Sequence, residues 1–246
     1  MNEAYEKPWE PLEEMLEQES SSGLKEYFDQ LSSGEIARSI SRLSVEDQHR
    51  LFQLLSPENA AELAEMLPVA QMTEVIQELP PETAADILEE MSSNDRADLL
   101  GFLEEDGAEA IFEHMDPEAA LDARQLARYP ADVAGGVMLT EYLVYPQTAS
   151  VGDVVDDFQR NAETYSDYDV QYTYVVTPAG ALAGVLRLRE LLLAPRSKPI
   201  NRLMIPDPLA VRDTDSLDRL GEFFDEHQFL GVPVVDAAGV LVGVVR

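Results

Sequence analysis

Seven apolar residues, Leu43, Leu55, Leu67, Leu79, Met91, Leu103 and Met115, recur every twelve positions in this 246-residue chain. Eight positions after each of the first six stands a second apolar residue: Leu51, Leu63, Val75, Ile87, Leu99 and Ile111. Such a period leaves room for a helix of about two to three turns and a tight connection. The connections carry caps and breakers: LSVED, LSPEN, LPVAQ, LPPET, MSSND and MDPEA. Ser56 before Pro57 and Asp116 before Pro117 suit an N-cap followed by the first helical residue. Pro80-Pro81 stops one helix and starts the next. Helices this short do not hold in water alone. Their apolar stripes must be buried against neighbours, which predicts a right-angled or superhelical array of stacked short helices.

The C-terminal part is organised by a duplication. Tyr174–Arg187, YVVTPAGALAGVLR, returns 59 positions later as Pro233–Arg246, PVVDAAGVLVGVVR. Each copy reads as strand, tight turn and strand. Gly180 and Gly239 suit a positive φ in the turn, while Gly184 and Gly243 permit close backbone approach. The correspondence extends upstream, where Met138 matches Met204, Thr148 matches Thr214 and Phe158 matches Phe224. The pattern is a tandem β-α-β-β unit of roughly 60 residues. In the first copy Ser150 with Asp153 predicts a capping pair for a helix ending near Asn161. The loop through Ser166–Asp169 is longer than its counterpart, and LRELLLAP after Arg187 predicts a closing helix. The second copy stops at Arg246, where its own closing helix is expected, so the sequence reads as part of something larger.

Charge excludes some partners. The net charge is −31, with 31 acids against 8 Lys/Arg in residues 1–130 and 17 against 9 in residues 131–246. Between Leu54 and Asp122 the only Lys or Arg is Arg96. Such a surface repels nucleic acid and anionic lipid and attracts cations or a basic protein. The plain alternative is a solvated acidic face that keeps the chain soluble. Most acids fall off the apolar stripe: Glu58, Glu62, Glu65, Glu74, Glu78, Glu82, Asp86, Glu89, Asp95 and Asp98. The chain has no cysteine, which removes disulfides, thiolate metal sites and thiol nucleophiles. No apolar run reaches membrane-spanning length, and the acidic N-terminus is unlike a signal peptide.

Residues 1–22 read as an adapter, with Trp9 and Pro11 before a short helix carrying Leu12, Met15 and Leu16. It is either docked or frayed. Residues 127–140, ARYPADVAGGVMLT, join the two halves, and Gly135-Gly136 marks backbone that is flexible or closely packed. No enzyme motif appears. His49, His114 and His227 lie apart without ligand spacing and read as surface or packing residues, and no P-loop, G-x-S-x-G or H-E-x-x-H is present.

Both β-units resemble cystathionine-β-synthase (CBS) domains in the Met-x-x start, the Thr before a helix and the VPVVDAAGVLVGVV finish. The short-helix array with L-x-P-E repeats, then A-R-Y-x-x-x-x-A-G-G-x-M at Ala127–Met138, then two CBS units, resembles the cytosolic region of MgtE-type magnesium transporters over about residues 23–246. The resemblance implies a homodimer through the CBS domains, Mg²⁺ as ligand, and a connecting helix and membrane pore following this stretch. It implies that internal Mg²⁺ draws the acidic helical domain onto the CBS domains and closes the pore. The family's helical-domain site falls on Ser93–Asp98, with Asp95 and Asp98 kept and Asn94 in place of an acid. The CBS-side carbonyl falls on Gly136. Asp218, Glu222, Asp225 and Glu226 correspond to acids facing the connecting helix, with Ser216 and Gln228 where further acids stand in the family. For each residue, a solvated surface acid is the competing reading.

CBS pairs also bind adenine nucleotides. The corresponding motif here is Arg187-Leu188-Arg189-Glu190, lacking the usual Ser/Thr and Asp. Arg189 and Glu190 with Tyr172 are the candidate contacts, and Tyr172 reads equally as core-edge packing.

The sequence therefore predicts an α+β multidomain chain: an all-α superhelical array of short helices followed by a tandem CBS domain pair, the second copy incomplete. The expected divisions are 1–22, 23–130, 131–199 and 200–246. The expected function is magnesium-sensing regulation of a transporter, without catalysis. The alternatives are an adenine-nucleotide sensor built on the CBS pair, and a helical-repeat scaffold for a basic partner.

Overall fold

A computed structural model describes residues 7–18, 21–162, 164–165, 168, 172–227 and 229–246. The chain divides into two compact units, Met1–Ala127 and Arg128–Arg246. Gln171, Gln228 and most of the loop at 166–169 lie outside the described residues. No helix among the described residues is long and apolar enough to cross a membrane.

The first unit contains α1 (Trp9–Glu17), α2 (Ser21–Phe28), α3 (Ser33–Ile40), α4 (Val45–Leu54), α5 (Pro57–Glu65), α6 (Val69–Glu78), α7 (Pro81–Glu90), α8 (Ser93–Phe102), α9 (Glu105–Phe112) and α10 (Pro117–Leu126). From α4 onward each helix packs on the next but one: α4 on α6, α5 on α7, α6 on α8, α7 on α9 and α8 on α10. Two rows of helices result, each row advancing by two repeats. This explains why helices of eight to ten residues hold: each lends its stripe to neighbours on both sides. The predicted column Leu51, Leu63, Val75, Ile87, Leu99 and Ile111 is buried throughout. A further column, Phe52, Ala64, Ile76, Leu88 and Leu100, is buried beside it. The N-terminal segment is docked, not frayed, over its described part. Leu12 and Leu16 of α1 are buried, and α1 packs against α2, α3 and α4.

Side-chain caps form at Ser44, Ser56 and Asp116 but not at Pro68, Pro80 or Ser92. Ser44 Oγ accepts from the Asp47 N–H at 3.1 Å, and Asp116 Oδ1 accepts from the Glu118 N–H at 2.8 Å, with Pro117 opening α10. Two acids do structural work between repeats. Glu65 at the end of α5 accepts the N–H of Ser92, the residue ahead of α8, at 2.8 Å. One double repeat later, Glu89 of α7 accepts the N–H of Asp116 ahead of α10. Both partners are otherwise unsatisfied helix-end donors. Glu89→Ala is therefore expected to cost about 1 kcal/mol, read as a lower urea midpoint with unchanged slope. An unchanged midpoint would reduce this contact to a surface coincidence.

The second unit contains α11 (Ala134–Val137), β1 (Leu143–Pro146), α12 (Val151–Arg160), β2 (Tyr172–Val176), β3 (Leu182–Arg187), α13 (Leu188–Leu193), β4 (Ile205–Pro206), β5 (Val211–Arg212), α14 (Leu217–Glu226), β6 (Val232–Val235) and β7 (Leu241–Val245). One sheet runs β1-β2-β3-β4 and the other β5-β6-β7. In both, the first pair is parallel and the hairpin antiparallel. Gly180 and Gly239 turn the hairpins at φ +80° and +79°. The Ser150 and Asp153 capping box opens α12 as expected.

A pseudo-twofold axis relates the copies. Ala181 bridges its own equivalent Val240, and the flanking bonds are reciprocal: Leu182 N–H to Gly239 O at 3.0 Å, and Leu241 N–H to Gly180 O at 3.3 Å. The opening segment of each copy is exchanged. Ile205 pairs with Val185 of the first copy, whereas Leu139 bridges Val244 of the second. Each opening methionine then covers a glycine of the other copy. A Cβ on Gly184 would lie 2.4 Å from Met204 Sδ, and one on Gly243 would lie 2.6 Å from Met138 Sδ. Leu139, Tyr174, Leu241 and Val244 form a core shared by both copies.

Candidate metal site

The acids of the helical unit follow its register. Glu62, Glu74, Asp86 and Asp98 occupy one twelve-residue column, and the first three are exposed. Asp98 alone is half-buried, on α8 one turn beyond the half-buried Asp95. Burial, and secondarily the neighbouring Asp95 charge, push the Asp98 carboxyl above its ordinary value. Asp95 is held in place by the hydroxyl of Ser92 at 2.8 Å and by the amide of Asn94 at 3.4 Å. Asn94 spends its NH₂ in this way, while its buried Oδ1 has no hydrogen-bond partner. The first turns of α8 thus carry two half-buried carboxylates and an unsatisfied amide oxygen. Asn94 takes the place of an acid, yet supplies the kind of neutral oxygen that hard cations accept.

The nearest cation in sequence does not neutralise this group. Arg96 is turned inward, with its side chain 7% exposed, and its Nη2 donates to Asp122 Oδ2 of α10 at 3.2 Å. Glu65 is committed to the Ser92 N–H. No cluster of three or more His, Cys, Asp or Glu side chains able to hold a metal occurs among the described residues. Asp95, Asp98 and Asn94 thus place two carboxylates and one amide oxygen within the first two turns of α8.

Gly136 lies in α11, in closely packed rather than flexible backbone. A Cβ there would sit 2.3 Å from the Pro130 carbonyl oxygen, and one on Gly135 would sit 2.3 Å from the Tyr129 ring. The segment is fastened to the second copy: Ala134 N–H bonds Asp215 O and Gly135 N–H bonds Asp213 O, both at 2.8 Å, and Leu217 N–H bonds Asp132 O at 3.1 Å. Tyr129 Oη donates to Asp213 Oδ2 at 3.1 Å. Burial and this carboxylate acceptor raise the Tyr129 phenol.

Asp218, Glu222, Asp225 and Glu226 are exposed on α14 at spacings that share one helix face. None of the four makes an ion pair among the described residues. Tyr172 is half-buried and packs against the core shared by the two copies. Arg189 and Glu190 are exposed on α13.

A helical-repeat unit joined to a pseudo-twofold pair of CBS-type folds defines the class: an acidic α-solenoid with a CBS pair. Residues 31–132 match the MgtE intracellular N domain and residues 200–246 match the CBS domain. Over these stretches the chain is similar to MgtE-type proteins. The magnesium transporter MgtE of Thermus thermophilus is 33% identical over 147 residues, which span 58% of this chain and 32% of that protein. The magnesium transporter MgtE of Bacillus subtilis is 30% identical over 131 residues, 53% of this chain and 29% of that protein. These matches span about a third of the relatives' length. Among solved structures, the soluble part of a magnesium transporter superposes at TM-score 0.82 with 25% identity, over 98% of this chain and 94% of that one. The cytosolic domain of the Mg²⁺ channel MgtE in complex with ATP superposes at 0.83 with 29% identity, over 96% and 95%.

Proposed function

We propose that this chain is the cytosolic, magnesium-sensing regulatory region of a magnesium transporter whose pore is formed by other parts of the protein. The observation that carries the reading is the frustrated pair of opening turns of α8. There Asp98 is partly desolvated, Asp95 adds repulsion, and Asn94 Oδ1 is unpaired. A hydrated divalent cation relieves all three at once, and Mg²⁺ favours carboxylate, carbonyl and water oxygens. Partial coordination suits a sensor. Mg²⁺ binds weakly to the helical unit alone and more tightly when the CBS side, through the Gly136 carbonyl, completes the shell. Binding that favours the closed arrangement shifts the population toward it. The acid face of α14 serves the connecting helix, and the CBS pair dimerises the region.

Asp98 gives the reading a two-sided test. A carboxyl raised above its unfolded value holds its proton more tightly in the native state. Stability therefore falls as pH rises through that window, and the cost is fully present at neutral pH. Asp98→Asn is expected to raise the melting temperature in EDTA and to abolish further stabilisation by Mg²⁺. Trp9 fluorescence reports the helical unit, and an NaCl series at matched ionic strength separates specific binding from screening. A variant that keeps the full Mg²⁺ response would sink the assignment.

A second reading has one specific support, since a relative of 29% identity is known in complex with ATP. An adenine nucleotide bound near Tyr172, Arg189 and Glu190 would add a metabolic input to the same regulator. ATP titration of the wild-type chain and of Arg189→Ala tests it, with equal heats excluding Arg189 as a contact.

A further inference from the structure

We propose that the helical unit carries a second cation site, selective for nitrogen-accepting divalent metals of the zinc and cobalt type, in the cleft between α4 and α6. The cleft encloses about 260 Å³ and is lined by Ser41, Val45, Gln48, His49, Gln71 and Glu74, together with Val75. Two buried polar atoms with no hydrogen-bond partner belong to its lining, His49 Nε2 and the terminal nitrogen of Gln71. Unpaired buried polar atoms are costly, and two on residues that line one cleft point to an occupant.

The chemistry of that occupant follows from the donors. Ser41 Oγ lies 2.8 Å from the Ala37 carbonyl and 2.9 Å from the Gln71 amide oxygen. A hydroxyl has one proton, and the helical back-bond to Ala37 uses it. With the Gln71 amide turned over, its NH₂ donates to Ser41 Oγ and its oxygen becomes the unpaired atom. The cleft then presents an imidazole nitrogen, an amide oxygen and the exposed Glu74 carboxylate, one helical turn from Gln71 on α6. All three are ligands for a cation, in a domain already rich in negative charge. Register adds weight. The positions equivalent to His49 are Ala61, Thr73, Ala85 and Ala97, a column of small buried residues. A histidine there is an exception that packing alone does not call for.

Imidazole distinguishes this site from the Asp95 and Asp98 group. Mg²⁺ seeks oxygen and dehydrates reluctantly, whereas zinc- and cobalt-type ions gain from nitrogen. The inference is independent of the magnesium-sensing proposal and stands if that proposal fails. Co²⁺ is the probe, because its visible absorption reports ligand type. The full chain, held in excess Mg²⁺, is expected to bind one Co²⁺ saturably, with paramagnetic shifts on the His49 ring protons. His49→Gln and Glu74→Gln are each expected to weaken binding about tenfold or more, while His114→Gln leaves it unchanged. Glu74 is exposed, so its variant keeps the test decisive even if His49→Gln unfolds. Equal Co²⁺ affinity in wild type and Glu74→Gln, displacement of all Co²⁺ by Mg²⁺, or no saturable binding because water alone fills the cleft would each overturn the proposal.

Discussion

Arg96→Met is expected to destabilise the helical unit by about 3 kcal/mol, the scale for breaking one side of a buried ion pair. The side chain is almost wholly buried, and it meets Asp122 across the α8 and α10 contact. Removing the guanidinium takes away one charged partner of the Asp122 carboxylate, which is 28% exposed; this partial exposure keeps the loss toward the low end of that scale. Register makes the compensating experiment specific. The positions equivalent to Arg96 are Ala60, Met72, Ala84 and Ala120, all buried, so methionine has a precedent in this column. Pairing Arg96→Met with Asp122→Leu is therefore expected to recover stability to within about 1 kcal/mol of wild type, because a matched apolar pair avoids the desolvation cost of two charges. Urea unfolding followed by Trp9 fluorescence measures both. If the single variant matches wild type, the pair is only a surface contact; if the double variant stays as unstable as the single, the loss is one of packing.

Arg96 also marks where sequence reading stops. The twelve-residue period located the buried column at Leu51, Leu63, Val75, Ile87 and Leu99, and it located the breakers, because both repeat. It overlooked the adjoining column from Phe52 to Leu100. A helix packed on two neighbours buries a stripe wider than a single residue per turn, and only the two-row arrangement reveals that. An isolated arginine in an acidic helix reads as a surface charge, and only alignment with Met72 and Ala84 places it inside. His49 likewise reads as a surface or packing residue from the sequence. Asp98 stood out through resemblance, but its difference from Glu62, Glu74 and Asp86 is one of burial, and their common column hides it. In the second unit the duplication fixed the equivalences without saying which methionine covers which glycine. The copies match at a spacing of 59 in the hairpin and 66 at the opening methionines, so the first copy carries a longer stretch between its helix and its hairpin.

Gly136→Ala is expected to destabilise the second unit by about 2 to 3 kcal/mol, whether or not Mg²⁺ is present. The atom in the way is the backbone oxygen of Pro130, 2.3 Å from the new Cβ, so no rotamer change relieves the clash. Either Pro130 and Ala131 move or α11 lifts away. Both responses strain the bonds from Ala134 and Gly135 to Asp215 and Asp213, and the bond between Leu217 and Asp132 that ties the segment to the start of α14. Hydrogen exchange at Ala134 and Gly135 is the sharpest readout, and loss of their protection in EDTA is the expected result. Native protection and an unchanged urea midpoint would mean that the segment yields easily. The outcome bears on the proposed sensor. The backbone carbonyl proposed to meet Mg²⁺ is then held by a segment that a single methyl group displaces, so a weakened Mg²⁺ response in this variant reports lost positioning and not a lost ligand. Asp98→Asn removes the charge of the proposed ligand and so relieves its desolvation, and should stabilise the resting protein. Gly136→Ala removes no ligand and should weaken it. Opposite shifts in EDTA with the same loss of Mg²⁺ response would tie the two residues to one cation.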